Sequence, residues 1–352
     1  MRASTDPLVP TAERYRAFAE VEARGMSACY EAWAAGVAAD PATVALIDQL
    51  PAVKRQPNLV FSAARLHGAS VGKYPEFAAW LREHWTDVAA TCLTHATQTN
   101  EPGRCAVLLP ALAALAGPLA LIEVGASAGL CLHPDRYSYR YRLADGSERM
   151  LHPFDGPSPV VLDCDVTGPV PLPERMPEIV WRAGIDLHPL DVSSETDVAW
   201  LDALIWPEHD DRRARLGAAV AVARREPAPI VSGDLGEQIE ALVARAPAGA
   251  TVVVFHTAVL AYLNEADRNR FAEQMTRLPV RWLSNEGQSV VPGVLERLAE
   301  VPALLEHMPA SAFILALDGE PIALTQPHGR SLHWLTPADE CHNRRFNRTL
   351  LL

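Results

Sequence analysis

The chain has 352 residues, enough for one large or two modest domains, and its 49% hydrophobic content is that of a globular protein with an ample core. Lys and Arg number 31 against 43 Asp and Glu, and the net charge of −12 speaks against nucleic acid or an anionic lipid surface as a partner. The six cysteines (Cys29, Cys92, Cys105, Cys131, Cys164, Cys341) show no C-x-x-C and no Cys/His ligand spacing, which points to a reducing cytoplasm and no structural metal.

Met1–Arg16 lacks the apolar core of a signal peptide. Residues 11–116 read as an all-helical N-terminal domain. Thr11 caps a helix running to Ala39, with Tyr15, Phe18, Trp33 and Val37 near helical spacing. Asp40-Pro41 opens a second helix that Leu50-Pro51 closes. A third runs from Asn58 to Gly68, a fourth starts at Pro75 and carries Phe77, Trp80, Trp85 and Val88, and a fifth starts near Pro102. Cys105–Ile122 is uncharged, but Pro110 and Gly117-Pro118 divide it, so it reads as a buried helix followed by a buried strand rather than a membrane span.

From residue 117 to the end the texture changes to short apolar runs separated by helical patterns, which implies an α/β domain with a mostly parallel sheet. Leu119–Val124 is an apolar strand leading into Gly125-Ala126-Ser127-Ala128-Gly129. A glycine after such a strand lets the backbone turn tightly, and a helix following it would aim its N-terminus at a ligand in the turn. The insertion near 137–175, with alternating Tyr137–Tyr141 and the run Val160–Leu162, reads as a hairpin or small antiparallel element. The core resumes with a strand over 178–186 ending at Asp186. A basic-edged helix spans 208–225, and a strand ends at Gly233-Asp234. Thr251–Phe255 is a strand ending at His256, and 280–283 is another, ending Ser284-Asn285-Glu286-Gly287. Ala312–Leu317 and Pro321–Thr325 form a terminal hairpin.

The pattern Glu123-x-Gly125-x-x-x-Gly129, with an acid at the end of the next core strand, resembles class I S-adenosylmethionine (SAM) dependent methyltransferases. The order of strands ending at Asp186, Asp234, His256 and Asn285-Glu286, closed by an antiparallel hairpin, is similar to their Rossmann-like core. The resemblance implies that Glu123, Gly125, Ser127 and Gly129 wrap the methionine part of SAM. It further implies that Asp186 holds the ribose, that Asp234 meets the adenine amino group, and that His256 faces the substrate. An acid at a strand's carboxyl end suits two ribose hydroxyls on general grounds too. The full chain also resembles an uncharacterised bacterial family through Thr99–Arg104, Glu123–Leu130, Trp181–Asp186 and Phe255–Leu260.

Histidine titrates near neutrality, so His256 is a candidate general base, with a strand-end hydrogen bond as the alternative. Glu286 joins it as a catalytic candidate. Asn285, Tyr262, Asn100 and Arg104 are candidates for substrate contact, against turn capping and helix packing as the plainer readings. His188 has no partner at metal-ligand spacing. No G-x-S-x-G, P-loop or H-E-x-x-H is present, and a dinucleotide fold would need a glycine where Ser127 stands. Positions 255–258 lack Asp/Asn-Pro-Pro-Tyr, which disfavours amino methylation of bases. The expectation is a cytoplasmic SAM-dependent methyltransferase acting on a small or medium-sized molecule. The alternative is a catalytically silent SAM-fold protein that binds a metabolite or a protein partner.

Overall fold

The computed structural model describes residues 9–98, 100–298, 308–309 and 311–335. It divides into two compact units, Met1–Thr99 with Asp191–Leu216, and Asn100–Leu190 with Gly217–Leu352. No helix among the described residues is long and apolar enough to cross a membrane.

The described regular elements of the first unit are all helical. The expected helix from Thr11 to Ala39 is interrupted: Thr11–Ala17 runs into a π-helical turn, Phe18–Ala23, and a new helix spans Ala28–Ala39. Gly25, at φ +72°, takes the left-handed conformation that ends the first segment. Ser27 Oγ then caps the second by accepting from Tyr30 N at 3.0 Å. Asp40 caps Pro41–Ile47 as its sequence indicates, accepting from Ala42 and Thr43 N. The helix expected from Pro75 is two, Tyr74–Glu83 and Trp85–Thr94, separated at His84. Residues 191–216 join this unit because their tryptophans enter its core. Trp206 packs on Phe18 and Tyr30 at 5.7 Å and donates Nε1–H to Asn58, while Trp200 donates to Ala96 O.

The second unit is built on eleven strands. They are β1 (Leu119–Val124), β2 (Ser138–Leu143), β3 (Glu148–Leu151), β4 (Val161–Thr167), β5 (Ile179–Asp186), β6 (Ile230–Ser232), β7 (Thr251–Thr257), β8 (Arg281–Gly287), β9 (Phe313–Leu317), β10 (Glu320–Thr325) and β11 (Ser331–Trp334). Their order across one sheet is β3-β2-β4-β11-β10-β9-β8-β7-β1-β5-β6. Six of the ten neighbouring pairs are parallel.

The expected terminal hairpin is β9–β10, and an unexpected strand, β11, continues it antiparallel. The insertion differs from the expected antiparallel element. Its β2 and β3 pair antiparallel, but β2 and β4 are parallel, and β4 joins β11, so the insertion lengthens the main sheet instead of standing apart from it. Tyr139 and Tyr141 fill its inner face, and Tyr141 OH donates to Ala106 O at 2.9 Å. That contact ties the helix Cys105–Ala113 to the sheet, inside the second unit. No α-helix follows Gly129; two single 3₁₀ turns, Leu130–Leu132 and Pro134–Arg136, lead into β2.

The faces of the central strands follow their two-residue alternation. Ile122, Val124, Ala183, Ile185, Val254, Trp282, Ile314 and Ala316 share one apolar core with Phe271 and Met275 of the helix Glu265–Arg277. The intervening residues, Glu123 and Thr257 among them, point to the other face.

Candidate functional site

Parallel strands bring the ends of β1, β5 and β6 to one edge, and with them Glu123, Asp186 and Asp234. The glycine turn after β1 is held there by its own backbone. Gly125 and Ala126 N–H both donate to Ile185 O, and Gly129 N–H donates to Ala126 O. Ser127 N–H donates to Asp186 Oδ2 at 2.8 Å, and His188 N–H to Asp186 Oδ1 at 2.9 Å. Asn100 closes the loop from outside, accepting from Leu130 N and donating to Ala126 O.

Packing explains why the turn needs small residues. Gly125 has φ +69°, and a Cβ there would lie 2.5 Å from Val259 Cγ2. A Cβ on Gly184 of β5 would lie 2.5 Å from Ala126 Cβ. The glycines thus seat the turn on its neighbouring strands, and close approach to a ligand is not needed to account for them. Asp186 is half-buried at the edge; Asp234 is exposed and caps the helix Leu235–Val243, accepting from Gly236 N at 2.8 Å.

His256 and Glu286 do not join this group. His256 is 0% exposed, and both ring nitrogens are engaged: Nδ1–H donates to Glu286 Oε1 at 2.7 Å and Nε2 accepts from Trp282 Nε1 at 2.9 Å. Phe271 packs edge-on against the ring at 5.7 Å. The same Glu286 oxygen accepts from Val259 N and Leu260 N, so the pair fixes the turn after β7. Its partners all belong to the core on the face opposite Glu123. That placement removes His256 as a general base beside Glu123 and Asp186, and Glu286 with it. The turn it anchors presents Tyr262, 70% exposed, on the single 3₁₀ turn Leu260–Tyr262.

The face bearing Glu123 holds a second buried polar group. Arg104 reaches across from the turn Pro102–Arg104, donating Nη1–H to Thr257 O at 2.9 Å and Oγ1 at 3.0 Å, and Nε–H to Pro327 O. Asn285, level with Thr257 in the sheet, accepts from Thr325 Oγ1 at 2.7 Å. Glu123 lies beside Cys131 and Arg104. Burial holds its carboxyl well above the usual carboxylate range, Cys131 adds to this, and Arg104 opposes it.

Sequence reasoning missed a further network. Arg182 on β5 is buried and forks onto Asp135 at 2.9 and 3.1 Å, also reaching Leu132 O, His133 Nδ1 and Glu226. It secures the two 3₁₀ turns that stand where a helix was expected. An arginine inside the apolar run Trp181–Ile185 was the available signal. Burial, with Arg182 next, lowers the His133 pKa from 6.5 to about 4.

Among the described residues no three His, Cys, Asp or Glu side chains are grouped to hold a metal. A shallow groove of about 330 Å³ between Ala114–Ala116 and Leu278–Arg281 lies at the strands' amino ends, away from this chemistry.

Among the described residues three non-glycine positions have left-handed backbone: Ser127, Ala258 and Asp318. Asp318 sits in the hairpin turn between β9 and β10, where such backbone is ordinary. Ser127 and Ala258 follow the adjacent strands β1 and β7, so the strain concentrates at one edge, as it does at functional sites.

Residues 12–334 match the model of a family described as an uncharacterized protein conserved in bacteria (DUF2332), and the chain belongs to that family. No curated protein and no solved structure matches it.

Proposed function

We propose that the chain binds SAM at the carboxyl edge of β1, β5 and β6 and transfers its methyl group to a small or medium-sized molecule. With the β2–β4 insertion set aside, β1, β5, β6, β7 and β8 are the first to fifth core strands, in spatial order 3-2-1-4-5 and all parallel. That is the order of a Rossmann-like sheet, in which ligands bind outside the carboxyl ends of the strands around the point where the order reverses; here β1 is one of the two strands at that point. The antiparallel β9 beside β8 suits the methyltransferase variant of that sheet. The departures are the missing helix after β1 and the added strands.

One observation carries the reading: Asp186 ends the strand beside β1, half-buried, with its carboxylate against the glycine turn. An acid so placed suits the two ribose hydroxyls of an adenosine cofactor. Asp234, exposed at the end of the next strand, suits the adenine amino group. SAM supplies an activated methyl on its sulfonium. The protein's part is to bind, orient and exclude water, so most of the acceleration comes from positioning. The reading implies a cytoplasmic protein, in keeping with five described cysteines that are all free thiols.

The test is Asp186→Ala. A hydrogen-bonded charge is worth about 1.5–3 kcal/mol, so SAM affinity should fall roughly 10- to 200-fold. A fall of less than about threefold would contradict the ribose role. A second reading, a SAM-fold protein that binds without turnover, draws support from the burial of His256 and Glu286 on the opposite face. Turnover measured on candidate acceptors separates the two.

A further inference from the structure

We propose that Arg104, Asn285 and Glu123 form a binding site for the carboxylate of a small-molecule ligand. Asn285 and Glu123 each hold a buried polar atom with no hydrogen bond among the described residues, and Arg104 has a guanidinium nitrogen to spare. Asn285 is 0% exposed, and with its Oδ1 taken by Thr325, its Nδ2 is buried with no hydrogen bond. Glu123 is 3% exposed, and its Oε2 is likewise buried and unpartnered. Arg104 spends Nε and Nη1 on Pro327 and Thr257, and its Nη2 makes no hydrogen bond among the described residues. Buried polar atoms are nearly always satisfied, so two on one sheet face call for an occupant.

Arg104 links them. It is bonded to Thr257, which lies level with Asn285, and it acts electrostatically on Glu123, which sits on the same face level with Phe255. The chemistry is one-sided. Arg104 offers N–H and Asn285 an amide N–H, while burial pushes the Glu123 carboxyl well above the usual carboxylate range, toward the form that offers O–H. A carboxylate accepts from a guanidinium and an amide together. An amine would face the Arg104 cation. The neighbouring carboxylates accept from backbone, Glu101 from Gly103 N and Asp186 from Ser127 and His188 N. Their charge opposes a second anion, so a lone small carboxylate should bind only weakly, and a larger acid must add contacts of its own.

That this carboxylate belongs to the methyl acceptor rests on the reading of the chain as a methyltransferase; the binding site itself does not. The experiment is thermal unfolding of the full chain in acetate, propionate or benzoate up to about 50 mM, where weak binding gives a measurable rise in Tm. Acetamide, propionamide, benzamide and sodium chloride at equal ionic strength are the controls. The expected result is a rise with at least one carboxylate and none with its amide or with chloride. Asn285→Ala and Arg104→Gln should each weaken that response at least tenfold. Should Arg104→Gln fail to fold, Arg104→Lys keeps the charge without the fork and should still lose most of the response. No rise with any carboxylate, which is the outcome if the cluster holds only water, overturns the proposal, as does a rise that persists in the Asn285 variant. SAM titration of the same preparation is read separately, so carboxylate binding without SAM binding sinks the methyltransferase reading and keeps this site.

Discussion

Two pairs of adjacent residues, His256–Thr257 on β7 and Asn285–Glu286 on β8, send one member to each face of the same sheet. On one face His256 and Glu286 bond to each other, to Trp282 and to the turn at Val259–Leu260, sealed in an apolar core. On the other, Thr257 accepts from Arg104, and Asn285 and Glu123 each keep a buried polar atom with no hydrogen bond among the described residues. The titratable pair is the structural one, and the amide shares its face with Glu123. A single step of strand alternation decides which is which.

The two faces should respond differently to mutation. The largest effect is expected at the hinge between them, Gly125→Val. A Cβ would enter Val259 at 2.5 Å on backbone with φ +69°. Clash and strain together should cost about 5 kcal/mol, read as loss of folded protein by circular dichroism. A folded variant with near-native Tm would mean the turn is not seated as described.

Glu286→Ala comes next. It leaves His256 Nδ1 and two backbone N–H groups buried without their acceptor, at a cost of about 3–5 kcal/mol in denaturant unfolding. Carboxylate binding across the sheet should be unchanged in whatever protein remains folded.

His133 gives a pH signature on the Arg104 side of the sheet. Its pKa is lowered from 6.5 to about 4 in the folded protein, so the unfolded chain binds the extra proton between these values. Stability therefore rises with pH across that window and is lost as pH falls from about 6.5 toward 4, by up to about 3 kcal/mol. His133→Gln should flatten that part of the stability profile; an unchanged slope would place the titration elsewhere.

The smallest effect is expected from His256→Asn, at about 1–2 kcal/mol of stability with SAM affinity within about twofold of the native value. A loss of SAM binding out of proportion to stability would return His256 to the functional edge.

What was legible in the sequence had local causes. Apolar runs marked β1, β5, β7 and β8, and Asp40-Pro41 marked its helix start, because both signals are carried by neighbouring residues. The carboxylates at the ends of β1, β5 and β6 were likewise legible, since strand ends in a parallel sheet share one edge. What was hidden depended on distant partners. The short strands β3 and β11 exist because β2 and β10 offer them edges. The turn after β1 forgoes a helix because Arg182, some fifty residues later, holds it by Leu132 and Asp135. The face chosen by His256 could not be read without fixing the strand register to the residue. Arg104 and Asn285 were candidates by type, but only folding brings both to Thr257.

If the edge where β1 meets β5 receives SAM, calorimetric titration of the full chain with SAM, its demethylated product and NAD should give saturable one-to-one binding of SAM and of its product, with no heat from NAD. A chain that binds neither adenosine sulfur compound, or that binds NAD in their place, contradicts that reading.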